Sequence, residues 1–184
     1  MIATSLSDIT TKPTTFAELR AALDNRGIIY DPLFGKLMDA DHVKYDGIQA
    51  LCERRSELFA AVLGLSDIEP LGYFENSRLV NEGVDLGVIS DSTAVDLMGG
   101  SARFRGYRAS DGIPVYVRVE ANFTIRKAHV KRVRSQSRAL ETLLRHLGPP
   151  EKTGIAVPVL AGHQLYKDSY GMTEPLYGTT FVQF

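Results

Sequence analysis

Cysteine is nearly missing from this 184-residue chain. Cys52 stands alone, which excludes an intramolecular disulfide and a cysteine-based zinc centre within one chain. It falls on the apolar stripe of an expected helix, the place of a buried structural thiol. Histidine is sparse too, and His42, His129, His146 and His163 show no metal-ligand spacing. No run of eighteen apolar residues exists, so no membrane span is expected. Met1 to Pro13 has no hydrophobic segment behind a basic one, so a secretory signal is not expected and the default location is the cytoplasm. P-loop, dinucleotide-binding glycine pattern, His-Glu-x-x-His and Gly-x-Ser-x-Gly are all absent, which removes the activities those motifs carry.

What the chain does have is charge that is segregated. Ten of its 21 Lys and Arg residues lie between Ser101 and Leu140 beside two acids, Asp111 and Glu120, for a local charge of about +8. The remaining residues carry 11 basic and 20 acidic groups, about −9, so a total of −1 hides a dipolar protein. A positive field confined to one hairpin and the following helix steers polyanions, whereas a merely solvated surface mixes both signs.

With 44% hydrophobic residues the chain can bury a full core. Residues 1–66 read as an N-terminal arm and helical annex, and 67–184 as an α/β core. Thr15 and Glu18 offer a capping box for a helix over Phe16 to Asn25, which Gly27 would stop. Ile48, Leu51, Cys52, Leu58, Phe59 and Val62 then recur at helical spacing, implying one long amphipathic helix ended by Gly64. From Glu69 the texture turns to short β pieces, including Val84 to Ile89 and Ala94 to Met98. Two alternating runs, Arg103 to Arg108 and Pro114 to Ile125, flank Ser110-Asp111-Gly112, a strong hairpin signal. Lys127 to Leu147 reads as an amphipathic helix and Ile155 to Ala161 as a buried strand. Strand, helix and strand imply a right-handed crossover, with Ile155 to Ala161 parallel to Pro114 to Ile125. The fold class is therefore α/β: a mixed central sheet with a hairpin and a βαβ crossover, flanked by helices.

Along Pro114 to Thr124, Val115, Val117, Val119, Ala121 and Phe123 point one way, and Tyr116, Arg118, Glu120, Asn122 and Thr124 the other. A two-residue Asp111-Gly112 turn would set Arg105 opposite Arg118 and Arg103 opposite Glu120. Facing like charges destabilise a sheet. Such an arginine pair invites a bridging anion or an acid from elsewhere, unless the face is a plain solvated charge ladder. Arg126, Lys127, Lys131, Arg132, Arg134 and Arg138 extend the positive surface along the next helix, with no acid before Glu141. Phosphate backbone is the usual partner of such a face; a basic face balanced by distant acids is the alternative. His129 reads as a surface residue of this helix.

The segment Val117-Arg118-Val119-Glu120-Ala121-Asn122-Phe123-Thr124-Ile125, the Arg-rich helix after it and Val157-Pro158-Val159-Leu160-Ala161-Gly162 together resemble the core of the PD-(D/E)XK nuclease-like superfamily. They are also similar to a bacterial group in which the catalytic Lys is commonly replaced. The resemblance spans about residues 71–162. It implies a restriction-endonuclease-like core in which an Asp and a Glu hold Mg2+ or Mn2+ and a Lys two residues beyond the Glu assists the attacking water. On that pattern Glu120 takes the place of the acid and Asn122 that of the Lys. Asp96 would serve as the first acid if the strand bends at Gly99-Gly100, and Lys127 stands where a migrated cation would act.

Three functions follow as expectations. One is a metal-dependent endonuclease using Glu120, Asp96 and Lys127. A second is a degenerate relative that binds nucleic acid, DNA foremost, through Arg103, Arg105, Arg118, Lys131, Arg132, Arg134 and Arg138. The third is a non-enzymatic structural or assembly protein, a homo-oligomer included, whose basic face meets the acidic part of another copy or partner. A small-anion enzyme built on facing arginines also fits the pattern.

Overall fold

The computed structural model describes residues 4–5, 13–24, 29–31, 36–38, 40–148, 153–166 and 179–184. Its main sheet has five strands in the order β4-β5-β6-β7-β8 (Leu65–Pro70, Ala102–Arg108, Pro114–Ile125, Ile155–Leu165 and Thr180–Gln183). The first three run antiparallel, and β7 and β8 add in parallel. Three short strands, β1 (Thr4–Ser5), β2 (Ile29–Asp31) and β3 (Lys36–Met38), form a separate small sheet. Six helices complete the described residues: α1 (Phe16–Asp24), α2 (Ala40–Arg54), α3 (Ser56–Leu63), α4 (Tyr73–Asp85), α5 (Asp91–Met98) and α6 (Lys127–Leu147). The architecture is α/β with a mixed sheet, and β7 lies parallel to β6 as the strand-helix-strand order requires. None of these helices is long and apolar enough to cross a membrane.

The alternation along β6 sorts the two sides of the sheet. Val115, Val117, Val119 and Ala121 join Phe104, Val159 and Ala161 in a cluster completed by Phe16, Leu19, Ile48, Leu51, Cys52 and Phe59 from α1 to α3. The opposite side packs on α6, where Leu140, Leu143 and Leu144 meet Val80 and Leu97, and where Val130 and Val133 meet Ile125 and Leu160. Burying these aliphatic side chains stabilises the fold by roughly 1.5–3 kcal/mol each. Cys52 is fully buried, and desolvation pushes its thiol far above the ordinary range, as befits an inert structural residue.

Several expectations change. The single helix expected over Ile48 to Val62 breaks at Arg55, whose guanidinium donates to the Thr14 carbonyl at 2.9 Å and to Glu57 at 2.6 Å, while Arg54 donates to the Pro13 carbonyl. The break ties the N-terminal segment to the sheet's helical side. Gly64 does end α3, in the left-handed conformation at φ 63°. Thr15 Oγ accepts from the Glu18 N–H at 3.1 Å, but the Glu18 carboxylate returns to Thr14, one residue earlier than a capping box requires.

The sheet starts at Leu65, ahead of Glu69, and Val84 to Ile89 and Ala94 to Met98 are not strands. The first runs off the end of α4 into a turn at Gly87, and the second is α5. Ser90 caps α5 by accepting from the Thr93 N–H, and Gly83 lets α4 lie directly on Leu143 of α6. Gly27, Pro32, Gly35, Pro149 and Pro150 lie outside the described residues.

The hairpin is present with a different register. Arg108 and Ile113 are hydrogen-bonded across its end, leaving Ala109 to Gly112 as the connection, with Gly112 at φ 71°. Asp111 holds that wider loop through Arg108 and the Ile113 N–H. Arg103 therefore faces Arg118, and Arg105 faces Tyr116.

Candidate functional site

Strand β5 begins opposite Val119, whereas β6 continues to Ile125, so the sheet has a notch beyond Glu120. The chain enters β5 from α5 through Gly99 and Gly100. Gly100 has φ 101°, and a Cβ there would sit 3.3 Å from Arg118 Nη2, so only glycine suits the turn. Ser101 seals the end of the ladder: its N–H donates to the Val119 carbonyl, and its hydroxyl accepts from the Ala121 N–H at 2.8 Å and donates to the Ala121 carbonyl at 3.1 Å. Helices α2 and α6, from opposite sides of the sheet, both reach this notch. Between them opens a cleft of about 280 Å3 walled by Tyr45, Asp46 and Gln49 of α2, Ser101, Glu120 and Asn122 of the strands, and His129 and Arg132 of α6.

Glu120 is only 5% exposed, and its carboxylate accepts from Arg132 Nη1 at 3.1 Å. Burial pushes its carboxyl above the ordinary range, with Arg132 and then Arg118 opposing that shift. Asn122 Oδ1 accepts from the Phe123 N–H at 2.9 Å, which leaves its amide nitrogen as the end that can meet a ligand. His129 Nδ1 accepts from the Arg126 N–H at 2.9 Å, so its ring proton resides on Nε2. Burial first, then Arg132, Arg126 and Lys44, hold this imidazole below its usual pKa and keep it neutral at pH 7. Arg132 of α6, Arg126 just before it and Lys44 of α2 thus all act electrostatically on one histidine at the cleft.

The hairpin arginines serve the fold. Arg118 is fully buried. Its Nη2 donates to the carbonyls of Leu97 at 2.8 Å and Gly99 at 2.7 Å, and its Nη1 and Nη2 reach Asn76 and Gln136 at 3.4 Å. Arg103 Nη1 donates to the carbonyls of Met98 at 2.9 Å and Gly99 at 3.3 Å, and Gln136 donates to the Asp96 carbonyl at 2.7 Å. The carbonyls that the end of α5 leaves without helical partners are thereby collected by side chains, and the negative end of the helix dipole lies between two arginines. Desolvation, and then Arg103, pull the Arg118 guanidinium down to about 9, so it stays charged at neutral pH. Arg105 pairs with Glu69 at 2.5 Å and Glu75 at 2.7 Å.

Of the residues expected to form a site, Glu120, Asn122 and Arg132 come together in the cleft. Asp96 does not join them: it sits on α5, contributes its main-chain carbonyl, and turns an exposed side chain to solvent. Lys127 opens α6 as an exposed residue outside the cleft walls. Arg103 and Arg118 are taken up by the end of α5 and Arg105 by two surface acids, and none of the three lines the cleft. Lys127, Lys131, Arg134 and Arg138 recur at i, i+4, i+7 and i+11 of α6 and form a stripe about 16 Å long.

The register places Ser101 next to Glu120 where a metal-binding acid would be needed. Among the described residues no group of three His, Cys, Asp or Glu side chains is placed to hold a metal ion. With a hydroxyl for the first acid, an amide for the Lys and Arg132 already on Glu120, the donor set does not fit Mg2+ or Mn2+, which require several oxygen ligands and repel a neighbouring cation.

Sequence reasoning missed the α2 wall and Ser101. Tyr45, Asp46 and Gln49 are the polar positions bordering the Ile48, Leu51 and Cys52 stripe of α2. His129, expected as a surface residue, is half-buried, and it both caps α6 and lines the cleft. Comparison with protein-family models, curated proteins and solved structures finds no match to this chain.

Proposed function

We propose that the protein is a nucleic-acid-binding domain of PD-(D/E)XK-like architecture that binds without cleaving. Support for the architecture comes from the succession β4-β5-β6-α6-β7, an antiparallel meander followed by a helix and a parallel strand, with Glu120 on the third strand. The observation that carries the binding reading is the stripe of Lys127, Lys131, Arg134 and Arg138 along one side of α6, with Lys44, Arg126 and Arg132 acting on His129 at the cleft on another side of the same helix. Among the described residues no acid pairs with Lys44, Lys127, Lys131 or Arg138. Such a surface neutralises phosphates and releases their counterions. The cleft residues argue against hydrolysis: among the described residues no three metal-ligating side chains gather there, and Glu120 is already held by Arg132.

The test is an electrophoretic mobility shift with supercoiled plasmid and short single- and double-stranded oligonucleotides, run with EDTA, Mg2+ or Mn2+. Retarded, intact DNA in every lane is the expected result. Nicking that needs a metal and disappears in Glu120→Ala would overturn the non-cleaving part of the proposal. No retardation at low salt would overturn the whole.

A further inference from the structure

We infer that the cleft between α2 and α6 is a subsite for one unpaired nucleobase, guanine fitting best, presented by a strand whose phosphates run along α6. The inference rests on the nucleic-acid reading and adds what the cleft itself recognises. At about 280 Å3 the cleft is at the small end of ligand cavities, the size of a heterocycle and not of a dinucleotide cofactor. Tyr45 stands at it 62% exposed, with Lys44 Nζ 5.9 Å from its ring centroid, an aromatic side chain left largely in water at the rim of a polar site. Aromatic faces so placed stack bases, and the neighbouring cation meets a flanking phosphate.

The floor selects the ligand. Glu120 and Asp46 put carboxylates on two walls, so a phosphate is repelled from the cleft's interior while remaining attracted to its cationic rim. What enters must bring hydrogen-bond donors. A carboxylate accepts most fully from two adjacent N–H groups, and among the bases guanine alone offers N1–H beside its exocyclic amine. Its O6 and N7 are acceptors, matching the Nε2–H of His129 and the guanidinium of Arg132. The Arg132 side chain is 58% exposed, which lets it exchange Glu120 for the ligand without unfolding anything. Pairing in a duplex occupies the N1–H and amine edge that the carboxylate would accept from, so the subsite takes single strands or an extruded base.

The experiment measures anisotropy of a labelled short oligothymidylate carrying one central guanine, against the same strand with inosine or an abasic site there. The guanine strand is expected to bind at least about fivefold tighter than the abasic one, with inosine between them. Tyr45→Ala and Glu120→Gln should each remove that preference while leaving the salt dependence intact. Equal affinities with salt dependence retained would overturn the base subsite and leave the nucleic-acid reading standing. Absence of salt-dependent binding to every strand would overturn both. Saturation of the cleft by N-acetylarginine amide, seen in amide NMR shifts of Tyr45 and Asn122 that the guanine strand fails to produce, would assign it to a cationic peptide side chain and overturn the inference.

Discussion

Arg103 and Arg118 stand directly opposite one another across the β5–β6 ladder, and both donate to the carbonyl end of α5. A like-charged pair on a sheet ordinarily costs stability. Among the described residues no carboxylate hydrogen-bonds to either guanidinium. The helix terminus does, with Gly99 accepting from both guanidiniums. Two of the four arginines that mark the hairpin in the sequence are thus consumed in holding α5 against the sheet, and the other two, Arg105 and Arg108, pair with acids.

Removing one partner from that arrangement should be severe. Arg118→Met leaves the buried Leu97 carbonyl with a single weak donor from Asn76 and the Gly99 carbonyl with only Arg103. A loss of about 3–5 kcal/mol is expected in urea denaturation. Arg118→Lys should recover little of it, because an ammonium lacks the planar fork that reaches both carbonyls and Asn76 at once.

Glu120 yields a pH prediction with a definite sign. Its folded pKa is raised above the ordinary carboxylate value, so the native state binds the proton more tightly than the unfolded chain. Stability from this group is then highest in acid and falls as pH rises from the ordinary value through the raised one. Glu120→Gln should leave stability near pH 4 unchanged and increase it at pH 7.5 by on the order of 1 kcal/mol. Thermal melts at the two pH values check this. Equal effects at both would show that the carboxylate is not desolvated in the native state.

Gly83 is where α4 crosses α6. A Cβ there would run into the Leu143 side chain, which is itself fully buried. Gly83→Ala should therefore destabilise by about 1–2 kcal/mol, despite the better helix propensity of alanine. Paired with Leu143→Ala it should cost less than the two single changes together, a coupling that a double-mutant cycle measures.

The parts of the fold that could be read from the sequence are those whose signal is local and periodic. The strict alternation of β6, the apolar stripe of α6 and the left-handed stop at Gly64 all appear where their residues place them. The parts that could not be read depend on partners distant in sequence. Asp-Gly is the strongest two-residue turn signal, yet Asp111 spends its carboxylate on Arg108 and the Ile113 N–H and opens the loop, shifting the register by two. The β-branched residues near Val84 and Val95 mimic strands, but Ser90 caps a helix and Gly83 makes room for one. The cleft was half legible: Glu120 and Asn122 were visible as polar positions on β6, whereas Ser101 becomes their neighbour only in the true register, and Tyr45 enters from a helix on the other side of the sheet.

The measurement that bears most directly on the account is the affinity of the protein for a short single strand as a function of KCl. If Lys44 and the four cations of the α6 stripe engage about five phosphates, log K should fall against log salt with a slope of about −3.5. The double substitution Lys131→Glu with Arg138→Glu should make the slope shallower by more than one, while Arg105→Ala, whose guanidinium is already paired with Glu69 and Glu75, should leave it unchanged. A slope near zero, or one that the α6 reversal does not alter, would contradict the claim that these side chains form a polyanion-binding surface.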